Sequence, residues 1–282
     1  MNVLEETKFI MKKYGIYANK SLGQNFLVDD NVVKSIVDSA DISNEDLVIE
    51  IGPGLGTLTN ELLQRAKKVI AIELDTRMIR ILEDRFSLYN NLEIINEDVL
   101  KVDLNTIIKN EKNNNGIKSA KIVANLPYYI TTPIIMKLLE DKSDFESITV
   151  MIQKEVADRL CEIPGGKLSG AITYSVYYYA EAKEVLKVPN TSFIPAPEVD
   201  SEVINLKIRL EPPVQADEKK LFKIIKYAFM QRRKTLTNAL SKCDLFKDKE
   251  HLRTILSELG INEKVRGEEL SLQDFANIVN KL

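Results

Sequence analysis

Four short apolar runs recur along the first half of the chain: LVIEI (47–51), KVIAIE (68–73), LEIIN (92–96) and KIVAN (121–125), each followed by a stretch of helical or loop character. No other feature narrows the fold as much. Val and Ile on consecutive positions fit strands covered on both faces, and strand–helix alternation is the rhythm of a parallel sheet with helices on either side. The pattern then changes. ITVMI (148–152) leads into a helix, QKEVADRL, and two strand-like runs follow, ITYSVYYYAEA (172–182) and SEVINLKIRL (201–210), with no evident helix between them. They predict antiparallel strands at the sheet edge. EPPV (211–214) interrupts the chain, because consecutive prolines continue neither strand nor helix. The expected domains are therefore 1–210 and 211–282. Beyond the break Leu221, Ile225, Ala228 and Phe229 share one helical face, and SLQD (271–274) reads as a capping box opening a last helix. NEKNNNG (110–116) reads as a polar surface loop.

With 282 residues, 44% of them hydrophobic, the chain can bury one large core and one smaller one. Composition also excludes several chemistries. Cys161 and Cys243 are the only cysteines and His251 the only histidine, so neither a disulfide framework nor a Cys/His metal site is expected. Nucleophilic machinery that pairs Ser or Cys with His is equally unsupported, since His251 lies in the polar segment KDKEHLR. The opening MNVLEETKFI carries two Glu where a signal peptide would be basic, and no apolar run reaches membrane-spanning length. A cytoplasmic protein without membrane association is expected, and a monomer, as no coiled coil or long apolar edge demands a dimer.

The net charge of −3 conceals an uneven distribution. Residues 7–28 hold Lys8, Lys12, Lys13 and Lys20 with no acid, and residues 219–242 hold eight Lys or Arg with no acid. Residues 41–112 carry fourteen acids against nine bases. An acidic body between basic flanks suits a polyanion held at the flanks and a cation held in the body.

EIGPGLGTLT (50–59) joins the first strand to the first crossover helix. Glycines at 52, 54 and 56 allow a tight turn and bring bare backbone against a ligand at the carboxyl edge of the sheet. A dinucleotide fingerprint would place its third glycine at 57, which is Thr57. That spacing counts against NAD or FAD. Glu73, at the end of the second strand, is placed to accept hydrogen bonds from both ribose hydroxyls, and Asp98, just after the third, from an adenine amino group. No Walker lysine is present. An adenosine site without a phosphate cradle matches S-adenosylmethionine, a nucleoside bearing a sulfonium cation.

The fourth strand ends in NLPYYITTP (125–133) at the same edge. An adenine amine is a poor nucleophile because its lone pair is delocalised into the ring. Two acceptors, the Asn125 side-chain oxygen and the Pro127 carbonyl, are expected to grip its hydrogens and favour a pyramidal nitrogen. Tyr128 is expected to stack on a base drawn out of its helix. Transfer would then be an in-line displacement driven by proximity, without a metal.

SLGQNFL (21–27), EIGPGLG, IELD (72–75), NLPYYITTP, QKEVADRL, SFIPAPEVDS (192–201) and QRRKTLTNAL (231–240) together resemble the motif series of the ribosomal RNA adenine dimethyltransferases of the KsgA type, in the same order and over nearly the whole chain. The resemblance implies a Rossmann-like class I methyltransferase sheet with antiparallel edge strands, plus a small all-helical C-terminal domain. It implies dimethylation of two adjacent adenosines near the 3′ end of 16S ribosomal RNA in an immature small (30S) subunit. It also implies cofactor contacts at Asn25, Leu27, Gly52, Glu73, Asp98 and Asn125, with Gly54 beside them in the loop. Phe193 would face Tyr128 as the second aromatic wall.

In that setting Arg232, Arg233 and Lys234 are expected on a basic helix that grips RNA phosphates without reading bases, with Lys12, Lys13 and Lys20 serving from the other side of the mouth. Two rivals differ in substrate or role: a large-subunit methyltransferase of the macrolide-resistance type, and a ribosome-assembly factor whose catalysis is incidental. The former usually lacks the QRRKT segment and the P-G-L-G form of the loop.

Overall fold

The apolar runs form strands, and the Val/Ile content that predicts burial on both faces is matched by residues with almost no exposure along the central strands. In the computed structural model, which describes residues 1–19 and 22–282, nine strands form: β1 (Phe26–Leu27), β2 (Asp46–Ile51), β3 (Lys68–Glu73), β4 (Leu92–Asn96), β5 (Ser119–Asn125), β6 (Ser147–Gln153), β7 (Ala180–Val188), β8 (Phe193–Ile194) and β9 (Ser201–Ile208). Seven make one sheet in the order β4-β3-β2-β5-β6-β9-β7. Strands β4, β3, β2, β5 and β6 run parallel, and β9 lies antiparallel to β6 from Ser147↔Lys207 to Gln153↔Ser201. The order reverses between β2 and β5, so the carboxyl ends of β2, β3 and β5 open on the crevice where ligands of such sheets bind.

Two compact units divide the chain, one of residues 1–157 and 182–208, the other of residues 158–181 and 209–282. The division after Ile208 falls just ahead of the proline pair. Residues 158–181, assigned to the first domain by the sequence, cluster instead with the second.

In the first unit, helices α1 (Val3–Tyr14), α2 (Asp30–Ser39), α3 (Thr57–Arg65), α4 (Thr76–Arg85), α5 (Leu104–Asn115) and α6 (Thr131–Glu140) accompany the sheet. Capping residues locate several starts: Asp75 accepts from Arg77 N at 3.0 Å and Asp103 from Thr106 N at 3.1 Å. One core cluster joins Val33, Ile36 and Val37 of α2 to Leu58 and Leu62 of α3 and to Val48, Val69 and Val123 of the sheet. NEKNNNG is not a loop. Its first six residues finish α5, because Glu111 turns inward to Lys68 at 2.7 Å and Asn115 donates to Glu111 at 2.7 Å.

The second unit holds α8 (Ala171–Tyr179), α9 (Glu218–Met230), α10 (Leu236–Leu240), α11 (Lys249–Glu258) and α12 (Leu272–Asn280), while α7 (Lys154–Cys161) crosses the division. Here the sequence expectation fails for ITYSVYYY, which is helix and not strand; strand begins only at Ala180. Tyr, Val, Ile and Thr all favour strands, but Tyr174 and Tyr178 stand one helical turn apart and both enter the helical core. Tyr174 is fully buried, packs edge-on against Phe275 and donates its hydroxyl to the Leu270 carbonyl. Burying such a ring contributes roughly 2–3 kcal/mol, more than the propensity it overrides. Leu221, Ile225 and Ala228 are buried on α9 as one face, with Phe229 packed beside them, and the Ser271–Asp274 capping box opens α12. No helix among the described residues is long and apolar enough to cross a membrane.

Candidate active site at the carboxyl edge of the sheet

A cavity opens where β2, β3 and β5 end. The predicted residues Asn25, Leu27, Gly52, Gly54, Glu73, Asp98, Asn125, Pro127 and Tyr128 all line it. The glycine loop explains the shape. Gly52 takes a left-handed φ of +67°, and the position of a β-carbon there meets nothing within 4 Å, so bare backbone faces the cavity. Gly56 serves packing: a β-carbon would sit 2.6 Å from the Phe86 ring.

Glu73 is held from both sides. Gly54 N donates to its Oε2 at 3.1 Å and Asp75 N to its Oε1 at 2.8 Å. Burial nevertheless pushes its carboxyl above the ordinary value, against the pull of those two donors. Asp98 accepts from Leu100 N at 3.0 Å, which fixes the turn after β4. Four acidic side chains line the cavity, Glu50, Glu73, Glu97 and Asp98, and no Lys, Arg or His is among the lining residues described. Such a lining suits a ligand that brings positive charge and no phosphate.

Asn125 closes β5. Its Nδ2 donates to the Asn25 carbonyl at 3.4 Å, and its Oδ1 has no hydrogen-bond partner among the described residues. Pro127 departs from expectation. Its carbonyl accepts from Thr131 Oγ1 at 3.0 Å and from Ile130 N at 3.2 Å, which fills both lone pairs and makes it the anchor of the 3-10 turn Tyr128–Ile130. The Leu126 carbonyl, one residue earlier, makes no such bond, and Leu126 also lines the cavity. Tyr128 is fixed at its hydroxyl, 2.6 Å from Ser201 Oγ, and burial raises its pKa.

Phe193 is not among the lining residues. Strand β8 pairs antiparallel with β1, Leu27 opposite Phe193, and the Phe193 ring is 3% exposed in the core cluster of α2 and the sheet. That pairing explains how Asn25 and Leu27, far from the sheet in sequence, reach the cavity.

The basic residues are placed differently from one another. Gln231–Lys234 lies in the turn between α9 and α10, not on a helix. Arg232 donates to the Ser169 carbonyl at 3.0 Å and pairs with Glu268 at 3.0 Å, while Arg233 and Lys234 are exposed. Lys12 is exposed at the end of α1, and Lys13 pairs with Asp84 at 2.8 Å, which raises the Lys13 pKa. Lys20 lies outside the described residues. Cys243 is buried and Cys161 half-buried. His251 sits on α11, where its Nδ1 accepts from Lys247 N at 3.3 Å.

Sequence reasoning missed Glu50. It is 1% exposed, lines the cavity, and accepts from Thr59 Oγ1 at 2.6 Å. Burial and the neighbouring Glu73 push its carboxyl up to about 8. The available signal was an acid inside the otherwise apolar run LVIEI.

A parallel sheet with an acid-lined cavity at its switch point, free of Lys, Arg and His among the described lining residues, is the arrangement of a Rossmann-like methyltransferase that uses S-adenosylmethionine. The chain belongs to the ribosomal RNA adenine dimethylase family, whose model matches residues 15–282. It is 47% identical to the ribosomal RNA small subunit methyltransferase A of Alkaliphilus oremlandii over 99% of this chain and 96% of that one. It is 49% identical to the protein of the same name in Bacillus cereus, over 98% and 95% of the two chains. Among solved structures, a dimethyladenosine transferase from Plasmodium falciparum superposes with a TM-score of 0.75 at 28% identity, covering 91% of this chain and 96% of that one. The 23S rRNA methyltransferase ErmE superposes at 0.69 with 24% identity, over 92% and 99%, and shares the fold. The small-subunit relatives are thus far nearer in sequence than the large-subunit one.

Proposed function

We infer that this protein transfers methyl groups from S-adenosylmethionine to the exocyclic amines of two adjacent adenosines near the 3′ end of 16S ribosomal RNA, dimethylating each. The observation that carries the reading is the state of Asn125. Its amide nitrogen is tied to Asn25, which leaves Oδ1 as the free acceptor at the cavity. With the Pro127 carbonyl already saturated, the Leu126 carbonyl is the second acceptor, a change from the pair expected from sequence. Two acceptors on the two amine hydrogens draw the nitrogen toward pyramidal geometry and free its lone pair.

Bound at the same cavity, S-adenosylmethionine supplies the electrophilic methyl group. Glu73, held by two backbone donors, keeps lone pairs for ribose hydroxyls, and Asp98 keeps one carboxylate oxygen for the adenine amine. Tyr128, pinned by Ser201, offers a ring for the target base to stack on. Phe193 lies one strand pair behind the cavity, so its part in this reading is to support Leu27 rather than to form a second wall. Arg233 and Lys234 bind RNA phosphates, with Lys12 and Lys13 as further cationic contacts, and residues 209–282 with 158–181 make the RNA-holding unit. The setting is the cytoplasm and an immature small subunit, with the enzyme acting as a monomer.

Labelled-methyl transfer from S-adenosylmethionine to purified small and large ribosomal subunits, run side by side on unmethylated particles, tests cofactor, reaction and substrate together. Label in small-subunit RNA as dimethyladenosine is the expected result. Label confined to the large subunit would overturn the substrate assignment.

A further inference from the structure

Glu50 has no part in the chemistry above, yet it is the most deeply buried acid of the cavity. Its backbone stands opposite Ala71 of β3 and Val123 of β5, which bring no polar side chain to it. From α3 comes the Thr59 hydroxyl, its one side-chain partner among the described residues. The charged groups that share the cavity are Glu73 at the end of β3 and Glu97 and Asp98 after β4, all of its own sign. The buried cation on the neighbouring strand, Lys121 of β5, pairs with Asp46 at 3.1 Å, at the far end of β2. A carboxyl group in such surroundings holds its proton, because low polarity and like charge both disfavour ionisation.

We propose that Glu50 is a proton-linked positioning residue of the donor site: neutral in the free protein, it ionises when the cationic end of S-adenosylmethionine enters, so that donor binding releases a proton. The O–H bond of the Glu50 carboxyl breaks, its electron pair stays on the carboxylate, and the proton passes to the buffer. The ligand supplies the positive charge that no side chain of the lining provides. Thr59 keeps donating to the carboxylate throughout and steers the ionised oxygen toward the cavity. This rests on the cavity being the donor site.

The consequence is an affinity that rises with pH up to the point at which free Glu50 ionises by itself, by at most about tenfold per pH unit. Calorimetric titration of the full chain with S-adenosylmethionine, in buffers of different ionisation enthalpy across pH 6.5–10, counts the protons. Wild type should release about one proton more than Glu50→Gln at pH 7, with the difference vanishing by about pH 10. The donor's own α-amino group adds the same proton traffic to both proteins, so the difference isolates Glu50. Thr59→Val removes the hydroxyl that favours the ionised form and should carry proton release to higher pH than in wild type. Equal proton counts in wild type and Glu50→Gln, with both binding, overturn the linkage alone. Should Glu50→Gln not fold, a release profile unchanged by Thr59→Val overturns it. Absence of donor binding to wild type overturns the donor-site assignment and this linkage with it.

Discussion

The cavity at the sheet edge and the turn between α9 and α10 both concentrate charge, but they do so by opposite means. In the cavity the acids are held: Glu73 by two backbone N–H groups and Asp98 by one. In the turn only Arg232 is tied down, and Arg233 and Lys234 extend into solvent. A small ligand is selected by charges that cannot move and that water does not screen. A polyanion is gripped by charges that remain hydrated until counterions leave. One chain thus carries a rigid, screened-off electrostatic site and a soft, exposed one.

The sharpest way to break this comparison is at Asn125. Asn125→Ala removes the preorganised acceptor and should lower labelled-methyl transfer by about 10²–10³-fold, while RNA binding measured by filter retention stays close to wild type. Unchanged turnover would refute the role of the amide.

Next in size is a stability effect. Glu50 keeps its proton in the folded protein up to about pH 8, whereas the unfolded chain loses it near the ordinary carboxyl value of 4.5. Its contribution is therefore full below that lower value and is lost as pH rises toward 8. Glu50→Gln should remove this slope and make the ligand-free protein more stable than wild type at pH 8.5, by several kcal/mol. Urea melts at pH 5 and 8.5 check it, and parallel wild-type and mutant pH profiles would show that the site is not as dry as its geometry indicates.

The exposed region should respond to salt and the cavity should not. Arg233→Ala with Lys234→Ala should weaken RNA binding and flatten the plot of log affinity against log salt by about 1.5 units, with donor affinity unchanged. A large loss of donor affinity would count against the assignment. The smallest effect distinguishes Arg232 from its neighbours. Arg232→Ala loses the bonds to Ser169 and Glu268 and should cost about 1 kcal/mol of stability, with less change in salt slope than either neighbour gives. Thermal melts and the same binding plot separate the two outcomes.

What the sequence made legible was whatever rested on local chemistry. The runs LVIEI, KVIAIE, LEIIN and KIVAN became β2 to β5 because apolar continuity and strand length agree. The loop at Gly52 and Gly54, Glu73 and Asp98 reached one cavity because each follows a parallel strand, and parallel strands share a carboxyl edge. Where tertiary packing outweighed local preference the sequence misled. ITYSVYYY turned helical because its rings fill the core of the second unit, and NEKNNNG stayed helical because Glu111 and Asn115 are tied inward. Pro127 misled in another way: which of two adjacent carbonyls is free depends on a hydroxyl four residues ahead, at Thr131, and on the amide of Ile130. No spacing rule announces that choice.

The short pairing of β1 with β8 sets a schedule for synthesis. Phe26 and Leu27, which line the cavity, gain their strand partner only once residues 193–194 exist. A growing polypeptide that has left the exit tunnel as far as β6 therefore owns the glycine loop and Asn125 without the clasp over them. The cavity at the carboxyl edge of the sheet is thus completed only late in translation.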